Sequence, residues 1–191
     1  AVLLIPADRE ALGDAVSAAA GKTTLVTVET DMTAWGAAAS ITMDHQELGA
    51  ALGAAALNGV PEGGTVLLLD SLPGDNGIRE RMEAAKAVLE RGGRQARVYK
   101  WDPDTTSLPD ILRIERPRAI IAFEAAALAD VAELSRGEDA FPLLYGCGST
   151  ASIAAALEKG RVTAITAVNV FSAGYLAVEA AAALARHEDW T

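Results

Sequence analysis

From Thr65 to Gly93 the chain reads TVLLLDSLPGDNGIRERMEAAKAVLERGG, and this segment narrows the possible folds more than any other. The apolar run at 66–69 is too short for a helix and does not alternate with polar residues, as expected of a strand buried on both faces. A polar loop with proline and glycine follows. The next stretch places Ile78, Met82, Ala85 and Leu89 on one face at helical spacing, and Gly92-Gly93 ends it. A doubly buried strand feeding a helix is half of a βαβ unit, so a parallel sheet is expected. Arg79 falls in the first helical turn, at the carboxyl end of the strand, where open α/β sheets bind ligands. A guanidinium is ill suited to the positive end of a helix dipole, which points to a role beyond helix stability. The simpler alternative is an ion pair with Glu83.

The same alternation runs through the chain. Strands are expected at 2–5, 25–28, 66–69, 96–99, 119–123, 143–146 and within the β-branched run 162–168. Helices are expected at 9–20, 46–57, 77–91, 108–115, 125–135, 149–159 and 171–186, with Asp8 capping the first. Short strands alternating with longer helices give an α/β fold of parallel sheets. The alanine-rich stretches favour helix and let helices approach a sheet closely.

Composition removes several functions. A net charge of −10 and a pI near 4.6 argue against direct contact with nucleic acid, which needs a basic face. Cys147 is the single cysteine, so no disulfide forms within the chain and no thiolate cluster holds a metal. Its apolar surroundings, LLYGCGS, read as a strand end with an inert thiol. His45 and His187 lack acidic partners at metal spacing and read as surface or boundary residues. No GxSxG, HExxH, CxxC or P-loop is present, and no stretch reaches the length of a membrane-spanning helix.

Four segments in order carry a family resemblance. LVTVETD followed by ITMDHQELG resembles a strand, an acidic turn and a helix start that cross between two lobes. DNGIRERMEAAKAVLERGG resembles an R-x-x-G-F-x-x-A-L helix, and RPRAIIAFEAAALADVAEL resembles a P-x-A-I-x-x-x-N-D-x-x-A-L-G unit. ALEKGRVTAITAVNVFSAGYLAVEAA resembles the second crossing and the closing helix. From residue 1 to about residue 187 the chain thus resembles the type I periplasmic-binding-protein superfamily, which includes ribose-type sugar-binding proteins and LacI-type effector domains. The resemblance implies two Rossmann-like parallel-sheet lobes with helices on both faces. Residues 1–43 plus 169–191 would form a partial amino-terminal lobe, and 44–168 the carboxyl-terminal lobe. The family's first lobe begins with two further βα units, roughly 60 residues at about 30 per unit. On that basis the chain is expected to be a fragment of a longer protein or an unusually short member, its first lobe incomplete.

The resemblance also implies ligand residues. Glu29 and Asp31 occupy the acidic turn, Arg79 matches the arginine of the carboxyl-terminal lobe, and Trp35 lies where a ring could stack on a ligand. The simpler readings are a solvated turn or cap for the acids and ordinary packing for Trp35. Phe123 and Glu124 stand where the family has Asn-Asp, Gly148 where it has an acid, and Val168 beside Asn169 where it has a glutamine. The polar cage for a pentose or hexose is therefore thinned, and a less hydroxylated ligand is expected. The implied function is a solute-binding protein capturing a sugar, polyol or related molecule in a cleft between lobes, outside the cytoplasm. It would serve an ABC permease or a membrane sensor. The alternative is a cytoplasmic LacI-type effector domain. No enzyme activity, cofactor or metal is implied, and oligomerisation is left open.

Overall fold

A computed structural model describes residues 1–105, 107–138 and 140–190. The chain divides into two compact units, one of Ala1–Asp44, Gly74–Gly77 and Asn169–Thr191, the other of His45–Pro73 and Ile78–Val168. In chain order the elements begin β1 (Val2–Leu4), α1 (Arg9–Ala20), β2 (Leu25–Glu29), a 3-10 turn (Thr33–Trp35) and β3 (Ala39–Thr42). They continue α2 (His45–Gly59), β4 (Thr65–Asp70), α3 (Asn76–Arg91), β5 (Gln95–Lys100), α4 (Leu108–Glu115), β6 (Ala119–Ala122) and α5 (Ala125–Leu134). The last are β7 (Leu143–Cys147), α6 (Ala151–Glu158), β8 (Ala164–Thr166) and α7 (Val170–Ala185).

The second unit is a five-stranded parallel sheet in the order β5-β4-β6-β7-β8. Successive residues of β4 serve its two faces. Val66 and Leu68 join Leu52, Ala56, Ile78, Ala85 and Leu89, which come from α2 and α3. Leu67 and Leu69 join Leu128, Val131 and Ile153, which come from α5 and α6. All four β4 residues are fully buried, so the run cannot alternate with polar residues. Burial of each such side chain is worth about 1.5–3 kcal/mol.

Two glycines set the approach of α2 to α3. A Cβ at Gly49 would stand 2.0 Å from the backbone oxygen of Arg81, and one at Gly53 would stand 2.8 Å from that of Ala85.

The first unit is a three-stranded parallel sheet in the order β1-β2-β3. Val16 of α1 packs with Leu25, Met32 and Ala37, and Ala177, Ala180 and Ala183 form the buried stripe of α7. Apolar surface remains outside: Ile5 is 67% exposed, and on α7 Phe171 is 81% and Val178 58% exposed.

The expected α/β architecture of two parallel sheets flanked by helices is present. Three details differ from the sequence expectation. Strand β3 was not anticipated, because ASIT is short and only half-buried and thus lacks the apolar run that marks the other strands. The extended run at 162–168 contributes only Ala164–Thr166 to the sheet. His45 is not a surface residue: it opens α2 and is buried. Cys147 is buried at the end of β7, its Sγ 3.2 Å from Thr166 Oγ1.

Candidate functional site

In the first unit the residue to notice is Glu29. It ends β2, the middle strand, and holds φ at 71°. For a residue with a Cβ, this left-handed conformation costs about 1–2 kcal/mol. Retained strain of this kind clusters at functional sites. Glu29 is half-buried, so its carboxylate is only partly desolvated.

Asp31, two residues on, has a local duty. Its Oδ1 accepts from the Thr33 backbone N–H at 2.8 Å and from the Thr33 hydroxyl at 2.8 Å, which closes the 3-10 turn. These bonds, with the Ser40 hydroxyl and the charge of Arg9, hold its carboxyl below the ordinary value of 3.8. A depressed folded pKa contributes stability above the unfolded value that is lost as pH falls through the folded one. Between pH 5 and pH 2 the thermal midpoint of the wild type should therefore fall further than that of Asp31→Asn, as read by circular dichroism.

Trp35 packs inward. A Cβ at Gly13 of α1 would stand 2.2 Å from the indole Nε1, and the ring joins the Val16–Leu25–Met32 cluster. Its side chain is half-buried and packs against this small core. Asn169 caps α7, its Oδ1 accepting from Ser172 N–H at 3.0 Å.

Asn76 escaped the sequence reading. It is 1% exposed. Its Oδ1 accepts from Arg9 N–H at 2.8 Å, its backbone N–H donates to the Ala7 carbonyl at 2.9 Å, and its Nδ2 donates to Glu10 at 3.4 Å. These bonds tie Gly74–Gly77 to the start of α1. The D-N-G sequence signals a turn or cap, but the partners Ala7, Arg9 and Glu10 lie more than 65 positions away and leave no local trace. Asn76→Leu should cost about 1–3 kcal/mol, because it strands a shielded N–H. Urea unfolding checks this.

In the second unit Arg79 is exposed in the first turn of α3, and among the described residues it forms no ion pair with Glu83. Phe123 follows β6 and is fully buried in the core, so its ring serves packing rather than a ligand. Glu124 caps α5: its carboxylate accepts from Ala126 N–H at 2.8 Å and Ala127 N–H at 3.0 Å. Gly148 has φ 143°, and a Cβ there would stand 2.7 Å from Ile153 and 2.9 Å from Ala125. The acid of the family pattern has no room at this position.

The sequence candidates thus form two groups. Glu29 and Asp31 lie at the end of β2 in one unit. Arg79, Phe123 and Glu124 follow the carboxyl ends of the adjacent strands β4 and β6 in the other. Among the described residues no set of three or more His, Cys, Asp or Glu side chains could hold a metal ion.

A comparison with curated proteins gives no match. Solved structures do match in fold. A periplasmic sugar-binding protein of an ABC sugar transporter from Legionella pneumophila is 20% identical with a TM-score of 0.87, over 96% of this chain and 72% of that one. An ABC transporter solute-binding protein from Agrobacterium vitis with bound D-fucose is 16% identical with a TM-score of 0.88, over 100% and 70%. A carbohydrate transporter solute-binding protein from Agrobacterium radiobacter in complex with D-arabinose is 17% identical with a TM-score of 0.85, over 95% and 66%. The chain therefore spans only about two thirds of the length of the last. The family described as the periplasmic binding protein domain matches residues 1–189. The chain belongs to the periplasmic-binding-protein domain family.

Proposed function

We propose that the chain is the ligand-binding part of an extracytoplasmic solute-binding protein whose ligand is a sugar or a sugar-like polyol. Family membership supports binding rather than catalysis. The observation that carries the ligand assignment is Glu29, an acid held at φ 71° at the carboxyl end of the middle strand of its sheet. Glu29 would accept from ligand hydroxyls and Arg79 would donate to ligand oxygens, both through charge-assisted bonds that orient as well as attract. Glu124 and Asn169 support this arrangement as helix caps and Asp31 by bracing its turn, since their side chains already accept backbone N–H groups. With Phe123 in the core and Gly148 without a side chain, the second unit offers few polar contacts. A ligand with fewer hydroxyls than a hexose fits best. Delivery to an ABC permease, or reporting to a membrane sensor, follows as the physiological role.

Isothermal titration with D-arabinose, D-fucose, D-ribose and erythritol tests this reading. Saturable heat with at least one, weakened in Arg79→Ala, is expected. Flat titrations with all four would overturn it.

A further inference from the structure

Exposed apolar surface is concentrated in the first unit. Among the described residues fourteen large apolar side chains are exposed, and eight of them lie on β1, at Ile5 just beyond it, or on α7. β1 is the edge of the three-stranded sheet and pairs with β2 on one side only. Strands of a parallel sheet are ordinarily covered on both faces. Val2 and Leu3 point to opposite faces of β1, yet they are 46% and 44% exposed. α7 packs against all three strands, and its buried stripe is Ala177, Ala180 and Ala183. On the opposite side of the helix Phe171, Tyr175 and Val178 recur at helical spacing and stand in solvent, Tyr175 being 60% exposed. A helix that is apolar on both sides is ordinarily buried.

We propose that the surface formed by β1 and α7 is where a second copy of the chain docks, related to the first by a two-fold axis. Charge selects that occupant. From Val2 to Pro6 and along α7 the only charged side chain is Glu179, although the chain as a whole carries −10. A strongly acidic or basic partner finds nothing to pair with there. An apolar face is complementary to itself, as a two-fold contact requires. α7 has no lysine or arginine to meet lipid headgroups, unlike helices that lie on membranes. The area is sufficient. The eight side chains present on the order of 600 Å² of apolar surface, taking roughly 200 Å² for a whole aromatic side chain and about 100 Å² for an aliphatic one. Patches beyond a few hundred Å² mark interaction sites, and a stable interface takes roughly 600–1,000 Å² from each partner. The backbone completes the contact. The open edge of β1 offers N–H and C=O groups to the same edge of the copy, and a two-fold axis makes the two strands antiparallel. The surface lies wholly in the first unit and does not depend on Glu29.

Sedimentation velocity of the full chain, from micromolar to submillimolar concentration, tests this. A monomer–dimer equilibrium is expected, and raising the salt concentration should not weaken it. Phe171→Lys and Tyr175→Lys should each weaken the dimer at least tenfold, with the far-ultraviolet circular dichroism unchanged because both side chains are exposed. Leu3→Lys, on the open edge, should weaken it as well. Ile114→Lys is the control: Ile114 is exposed on α4 in the second unit, and its replacement should leave the equilibrium unchanged. A chain that stays monomeric throughout, a mass that climbs past the dimer, or a dimer unweakened by both α7 variants would overturn the proposal. Saturable uptake of the monomer by phosphatidylcholine vesicles would assign the face to lipid instead. A chain extended ahead of Ala1 that is monomeric, with Tyr175 shielded from surface labelling, would assign the face to that extension. Either result would sink the dimer.

Discussion

Gly49→Ala is expected to lower the urea midpoint of unfolding, although alanine is the better helix former. Propensity alone predicts a gain of about 1 kcal/mol for glycine to alanine inside a helix. The packing predicts the opposite. The new Cβ would stand 2.0 Å from the Arg81 backbone oxygen and 2.7 Å from its Cα. Backbone atoms cannot swing away as a side-chain tip can, so α2 and α3 must separate. Overpacking costs typically about 1–3 kcal/mol, and so direct a clash belongs at the upper end. A net loss of about 2 kcal/mol follows from those two terms, a large share of a typical stability of about 5–15 kcal/mol. Gly49→Leu should be worse. Gly174→Ala is the matched control: Gly174 also lies within a helix, α7, but a Cβ there meets nothing within 4 Å. That change should raise the midpoint, separating propensity from packing. If Gly49→Ala also raises it, the close helix contact is not formed.

Glu29→Gly and Glu29→Ala, compared with each other, should separate stability from binding. Both remove the carboxylate, so both should lose ligand affinity by at least roughly 30-fold, since a hydrogen bond to a charged group is worth about 1.5–3 kcal/mol and several are lost. They differ in the backbone. Alanine keeps the cost of φ 71°, and glycine does not. The glycine variant should therefore be more stable than the alanine variant by about 1–2 kcal/mol. Thermal unfolding and calorimetry on the same samples read the two effects. Equal stability would mean that residue 29 relaxes out of the left-handed region. Unchanged affinity would remove Glu29 from the binding reading.

The architecture was legible because its signals are local. Val66–Leu69 shows its double burial as an unbroken apolar run, and the helix after it shows its buried face as Ile78, Met82, Ala85 and Leu89. Helix caps were half legible. Asp8 was anticipated, and its side chain accepts from Ala11 N–H at 2.9 Å. In the sequence Glu124 and Asn169 read as ligand residues, and the structure shows each capping a helix. The same side-chain chemistry suits a ligand hydroxyl or a backbone N–H, so residue type alone could not separate the two uses. β3 was missed because ASIT carries almost no apolar signal, and pairing with β2 makes it a strand.

The pattern of residues along the chain was enough to specify parallel α/β structure and an acid at the end of β2, because strand burial and helical periodicity are written in neighbouring positions. It could not show that Glu29 is held in a left-handed conformation, that Asn76 secures the start of α1, that Gly49 meets a carbonyl oxygen of α3, or that α7 packs against β1. Each of these depends on groups that are distant in sequence, or on a backbone angle imposed by the surrounding sheet. Only the folded chain brings them within hydrogen-bonding or van der Waals range.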